Sequence, residues 1–334
     1  DKVLFVHYGD KFTYESGLHK RITDALSDAG VTCYELPGVE PNPKVELVRK
    51  GIALCRENQI GCVLAVGGGS VIDTAKAVAI GVKYDGDVWD FYSKKAVPET
   101  ALPIGTVMTL PATGSEGSNG SVLKNPETGE SADVMADCLR PSFTLMNPDL
   151  TLTIPKRQTV FGIIDMFSHV LERYFSSSKD TYLTDYMCEG VMKLIIVNAQ
   201  ALMNDLKDYN SRAELMWTAI VAHNGLLATG RNQDWATHTI GAQLSAQYNC
   251  VHGATLSVLF PNWARYVYKE NLPRFVQFAN RVFGVEVDFY DQEETALKGI
   301  EKLAEFFHSM GGPATLKDLG IETDEKFRKM AEDA

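Results

Sequence analysis

A chain of 334 residues, 45% hydrophobic and 22% charged, has an ordinary composition for a folded protein and length for about two domains. Its formal net charge of −11 excludes nucleic acid as a partner, which needs a basic footprint, but leaves room for a nucleotide held by backbone amides. No apolar stretch reaches the roughly 18 residues of a membrane span, so no membrane is expected; with no leader segment, the cytoplasm is the expected compartment.

The chain opens at Asp1, without a methionine, as a trimmed start would, and runs into a strand at Val3–Val6. Leu18–Ala29 reads as an amphipathic helix stopped by Gly30, and Thr32–Leu36 as a second strand before Pro37-Gly38 and Pro41-Asn42-Pro43. Lys44–Glu57 is helical and Gly61–Val66 is a buried strand; Thr106–Leu110 and Phe143–Met146 add further strands. This strand–helix rhythm predicts a doubly wound parallel sheet. After about Leu150 the pattern becomes helical throughout: Arg157–Phe175, Tyr182–Asn204, Ser211–Thr229, a helix around His238, Leu272–Phe283 and Glu293–Met310. The expected organisation is an α/β domain over 1–150 and an all-α domain over 151–334. The six cysteines show no CxxC pair and no regular spacing, as reduced thiols would.

Two glycine- or hydroxyl-rich loops stand out. Val63–Val66 runs into Gly67-Gly68-Gly69-Ser70 and then a helical stretch through Lys76. Residues without side chains let a backbone approach a phosphate, whose charge a helix N-terminus favours. Ser70 and Asp73 also fit the S-x-x-D spacing of a capping box. The sequence is not GxGxxG, and a plain strand-to-helix turn explains the glycines too. A second loop, Thr109–Glu116, follows the next strand, and strand C-termini are where doubly wound sheets bind ligands.

Asp165 and His169 stand four apart in a helical stretch and so share one face; ordinary helical pairing explains that spacing as well as a metal does. His238 lies in DWATH and His252 in NCVHG. On one straight helix they would be about 21 Å apart, so bringing them together requires a turn near Tyr248-Asn249. Three imidazoles and one carboxylate suit Fe²⁺ or Zn²⁺. His7, His19, His223 and His308 read as ordinary core or surface residues. Trp235 and Phe167 are candidates for an apolar pocket wall, with core packing the plainer role for each.

Together these elements resemble the iron-containing (group III) alcohol dehydrogenase family, in particular its butanol-dehydrogenase-like branch. The resemblance rests on Glu40–Pro43, Gly67–Lys76, Leu110–Glu116, Asn147-Pro148, Gly162–Glu172 (GIIDMFSHVLE) and Gln233–Gly253 (QDWATHTIGAQLSAQYNCVHG), spread over nearly the whole chain. It implies an N-terminal dinucleotide-binding domain, a C-terminal helical metal domain, and an active site in the cleft between them. Asp165, His169, His238 and His252 match the family's metal ligands; Asn42, Gly68, Gly69, Ser70, Asp73, Thr109, Thr113, Ser115 and Asn119 match positions that contact the cofactor. Asp10 sits where the family meets the adenosine ribose; a carboxylate there accepts from both hydroxyls and repels a 2′-phosphate, which favours NAD(H) over NADP(H).

The implied reaction interconverts primary alcohols and aldehydes, butanol and butanal among them, in a cytoplasmic homodimer. Two positions depart from the family. Ser131 stands where a lysine is frequent, and Ala242 stands where many members place a histidine four residues after the third metal ligand. Proton delivery is therefore expected through water and the ribose hydroxyls. The nearest alternative is a polyol dehydrogenase of the glycerol type. A dehydroquinate-synthase-like lyase would need a basic pocket for a phosphorylated substrate, which the missing lysines speak against. A nucleotide-binding regulator without catalysis is disfavoured because all four candidate ligands are present.

Overall fold

Apolar strands alternating with helices in the first 150 residues form a five-stranded, all-parallel sheet. The computed structural model describes residues 1–328 and Met330; the end of the expected second domain, residues 331–334, lies outside the described residues. The chain divides at Leu150/Thr151 into two compact units. The strands of the sheet are β1 (Lys2–His7), β2 (Thr32–Leu36), β3 (Cys62–Gly68), β4 (Ile104–Leu110) and, beyond a hairpin of β5 (Gly120–Asn125) and β6 (Glu130–Met135), β7 (Phe143–Met146). Their spatial order is β2-β1-β3-β4-β7, so the winding reverses between β1 and β3. The connecting helices are α1 (Lys11–Glu15), α2 (Leu18–Asp28), α3 (Val45–Asn58), α4 (Gly69–Gly81) and α5 (Trp89–Tyr92).

On one face of the sheet Val3, Phe5, Leu64, Val66 and Val107 pack with Leu18, Ile22 and Leu26 of α2. The alternate residues Leu4, Val6, Val63 and Ala65 are buried as well, as parallel strands covered on both faces require. The antiparallel β5–β6 hairpin was not expected from the sequence: neither GSVLKN nor ESADVM alternates cleanly, and its turn carries Gly129 in the left-handed region. All six cysteines are free thiols.

The second unit is helical: α6 (Lys156–Tyr174), α7 (Tyr182–Asn204), α8 (Tyr209–His223), α9 (Ala236–Tyr248), α10 (His252–Val267), α11 (Leu272–Phe283) and α12 (Gln292–Met310). The helix expected over Ser211–Thr229 ends instead at His223, because Gly225 at φ 98° breaks it and Leu226–Ala228 closes into a short 3₁₀ turn. Helix α10 was not foreseen, since Pro261 inside it reads as a stop. Helix α6 runs through the core, buried without interruption from Thr159 to Tyr174. Its apolar face, including Ile164, Phe167 and Leu171, packs with residues of α7, α10 and α12. Phe167 lies against Phe306 and Phe307, a burial worth about 2–3 kcal/mol, and so serves the core and not a pocket wall. Among the described residues no helix is long and apolar enough to cross a membrane.

Candidate cofactor and metal sites

In the first unit the loops after β1 and β3 flank the point where the sheet winding reverses, the place where open α/β sheets bind ligands. The Gly67–Ser70 turn is packed too tightly for side chains. A Cβ on Gly67 would lie 2.5 Å from Val71 Cγ2, and one on Gly69 would lie 2.6 Å from Thr113 Oγ1. The Gly68 amide donates to the Tyr8 hydroxyl at 3.3 Å. Helix α4 takes Gly68 as its N-cap and has no side-chain cap bond, so the expected Ser70–Asp73 capping box does not form. Ser70 lies already inside the first turn, two residues past the cap position. An uncapped helix start leaves its first amides for an external anion.

The carboxylate of Asp73 is instead bound to the second loop, accepting from Ser115 Oγ at 2.7 Å and from the Val122 amide at 3.3 Å. One turn along α4 the fully buried Lys76 ammonium donates to the carbonyls of Ser115, Ser118 and Gly120, at 2.7, 3.0 and 2.7 Å, and to the hydroxyls of Ser115 and Ser118. Burial lowers its pKa to about 8, against the pull of Asp73 and Glu116. Within the same loop Thr113 Oγ1 accepts from the Ser115 amide and Asn119 Nδ2 donates to Asp137. Thr109 ends buried near the C-terminus of β4, and Asn42 adopts a left-handed φ of 57° before Pro43. Asp10 is exposed and caps α1, accepting from the Thr13 amide at 2.9 Å and from its hydroxyl at 2.7 Å through Oδ1.

In the second unit Asp165, His169 and Glu172 recur at i, i+4 and i+7 on one face of α6. Helix α9 ends at Asn249, whose left-handed φ of 54° turns the chain so that His252 begins α10. Gly253 allows that start to approach α6: a Cβ there would sit 2.1 Å from the Phe161 carbonyl oxygen. The result is convergence on Asp165. Its Oδ1 lies 3.7 Å from Nε2 of His238, 3.7 Å from Nε2 of His252 and 3.9 Å from Nε2 of His169. The ligand atoms of Asp165, His238 and His252 all lie within 4.8 Å of one another; His169 falls just outside that group, its ring stacked on His238 at 4.6 Å.

Asp165 Oδ1 and His238 Nε2 are buried and have no hydrogen-bond partner. Two buried polar atoms left facing each other are costly unless something joins them, and a cation fits. Burial alone would raise the Asp165 carboxyl, but His238, His252 and His223 hold it below the usual range. Burial drives His169 well down, with the neighbouring imidazoles adding to the effect, and lowers His252 to about 4. Neutral imidazoles have lone pairs to give. Burial opposes protonation of His238 too, yet Asp165 and Glu172 outweigh it and raise the group to about 9.

Glu172 is the residue that sequence reasoning missed. Its Oε1 accepts from His238 Nδ1 at 2.9 Å and from the His238 amide at 3.1 Å, and also from the Thr237 hydroxyl. A proton held on Nδ1 leaves Nε2 turned towards Asp165, the usual carboxylate–histidine–metal arrangement. The i+7 spacing from Asp165 was the available signal. His223, read as ordinary, lies tilted against His169 at 4.2 Å between ring centres and also meets Trp235 at 5.6 Å. Trp235 packs edge-on to His238 under the Arg173 guanidinium, so it does border the cluster.

Residues 1–148 match the family described as iron-containing alcohol dehydrogenase, and residues 159–334 match the C-terminal part of the same family. The chain is 46% identical to the probable NADH-dependent butanol dehydrogenase 1 of Bacillus subtilis (strain 168), over 100% of this chain and 86% of that protein. It is 32% identical to the NADPH-dependent aldehyde reductase YqhD of Escherichia coli (strain K12), over 96% of this chain and 83% of that one. The crystal structure of NADH-dependent butanol dehydrogenase A from Thermotoga maritima superposes with a TM-score of 0.95 at 39% identity, covering 99% of this chain and 82% of that one. The α/β first unit and helical second unit described above are thus those of a known group: the chain belongs to the iron-containing alcohol dehydrogenase family.

Proposed function

We propose that this protein is a metal-dependent alcohol dehydrogenase that interconverts primary alcohols and aldehydes with NAD(H). Family membership and the NADH-dependent butanol dehydrogenases among its relatives support the reaction class. The observation that carries the metal assignment is Asp165 Oδ1, buried and unpartnered, with three imidazole Nε2 atoms 3.7–3.9 Å away. In this reading residues 1–150 hold the dinucleotide, 151–334 hold the metal, and Asp165, His169, His238 and His252 are its ligands. A divalent ion, iron or zinc, would act there as a Lewis acid on the substrate oxygen. Homodimerisation and a cytoplasmic location belong to the same reading and rest on family membership alone.

The chain's own groups supply the rest. Gly69 and Ser70 offer the first amides of α4 to the pyrophosphate, with Gly68 leaving room for its approach, while Lys76 and Asp73 tie down Ser115, whose amide donates to Thr113, and Asn119 is held by Asp137. Thr109 and Asn42 complete the contacts assigned to the cofactor. Asp10 spends one oxygen on its helix cap and keeps the other for a ribose hydroxyl. Glu172 holds the His238 proton on Nδ1. Ala242, one turn along α9 from His238, has no proton to pass, so no side chain at that position serves as a proton relay. The test is direct. Protein purified without chelator is analysed for metal and assayed with butanal and glycerol, using both reduced and oxidised NAD and NADP. Turnover of butanal with NADH, lost on metal removal, is the expected result; full activity in protein free of metal would refute the reading.

A further inference from the structure

The first unit holds a second constellation with ligand chemistry. His7 ends β1, His19 lies in the first turn of α2, and Glu35 stands on β2. Glu35 Oε2 lies 3.4 Å from His7 Nε2 and 3.0 Å from His19 Nε2, and the three ligand atoms are all within 4.8 Å of one another. His7 is fully buried, and its Nε2 has no hydrogen-bond partner. Aromatic packing fixes both rings: Phe5 lies 4.5 Å from His7 and 5.6 Å from His19, and Tyr14 lies 5.8 and 4.9 Å from the same rings.

We propose that His7, His19 and Glu35 form a second transition-metal site of the Zn²⁺ or Cu²⁺ type. A tetrahedral ion with ligand bonds of about 2.0–2.1 Å sets its ligand atoms about 3.3 Å apart, close to the separations of both histidines from Glu35. Two imidazoles and one carboxylate are a recurrent zinc set, and the partly exposed side chains of His19 and Glu35, at 22% and 37%, leave an open side for water as the fourth ligand. The ring packing means that little order remains to be imposed on binding.

Binding has one identifiable cost. The Gly9 amide donates to His7 Nδ1 at 3.1 Å, whereas an imidazole that coordinates through Nε2 carries its own proton on Nδ1. The amide must therefore swing away, which Gly9, at φ 70° and without a side chain, is suited to do. This site accordingly fills after the Asp165 cluster.

The experiment counts zinc. Metal-free protein is titrated with Zn²⁺ and bound zinc is measured by elemental analysis after gel filtration. Wild type is expected to hold two zinc ions per chain, the second more weakly. His19→Gln, Glu35→Gln and His252→Ala are each expected to hold one. Wild type with a single zinc that His252→Ala loses would overturn the proposal, as would His19→Gln or Glu35→Gln still holding two. Two zinc ions in His252→Ala with one in His19→Gln would instead sink the reading of the Asp165 cluster and leave this site standing.

Discussion

Glu172→Gln separates positioning of a ligand from ligation itself. Glu172 touches no candidate ligand atom, but its Oε1 accepts from His238 Nδ1 at 2.9 Å and from the His238 amide at 3.1 Å. The carboxamide keeps the shape and an accepting oxygen, so the fold is expected to survive. What disappears is the charge behind the Nδ1 proton. A hydrogen bond to a charged group contributes about 1.5–3 kcal/mol and a neutral one about 0.5–1.5 kcal/mol. The difference, about 1–1.5 kcal/mol, corresponds to roughly a tenfold loss of metal affinity, at the lower end of the 10–100-fold cost usual for such partners. Competition against a chelator, read by bound metal, measures the affinity. Turnover at saturating metal is expected to stay within a few-fold of wild type, because the ligands are untouched. Glu172→Gln binding metal as tightly as wild type would refute the role assigned to the carboxylate.

Further perturbations test the remaining parts. His252→Ala is expected to lose metal and turnover together while binding NADH as wild type does, by fluorescence titration and elemental analysis. Asp10→Ser keeps a good helix cap but removes the charge, and is expected to shift the ratio of KM for NADPH to KM for NADH roughly tenfold in favour of NADPH; an unchanged ratio would dismiss Asp10 as the discriminator. Gly253→Ala places a Cβ against the Phe161 carbonyl and is expected to cost about 1–3 kcal/mol or more in stability by denaturant unfolding, with weaker metal retention because His252 moves with it. Burial raises Glu116 from 4.5 to about 7 in the fold. A carboxyl raised by folding adds stability that is complete below its unfolded pKa and is lost as pH rises through its folded one. Thermal melts of wild type, compared with Glu116→Gln, are therefore expected to lose ground from pH 4.5 to about 7 and then level off.

The fold was legible where periodicity and punctuation agree. Helices such as Tyr182–Asn204 and Leu272–Phe283 show sustained apolar spacing, and Pro273 or Gly284 marks an end. The hairpin at Gly120–Met135 and helix α10 were not legible, because their stability comes from what they pack against: α4 lies against β5, and Gly253 lets α10 sit on α6. The Asp165 cluster was half legible. Asp165 and His169 share a helix face by spacing alone, but the approach of His238 and His252 depends on a left-handed Asn249 that local pattern only permits. Ser70 and Asp73 matched a capping box by spacing and failed it by register, since Gly68 had already taken the cap. The place of Glu172 on that face was legible from its i+7 spacing, but its bond to His238 depends on the same approach of α9.

The ammonium of Lys76 has three protons and five oxygens around it, all inside the protein. No amine-reactive reagent reaches that nitrogen while the Ser115–Gly120 segment is in place. Its acylation therefore requires the segment to lift, and the rate of labelling reads out how often it does. A mass-spectrometric time course on this one lysine, with and without NADH, would turn a buried tether into a clock for the opening of the loop above it.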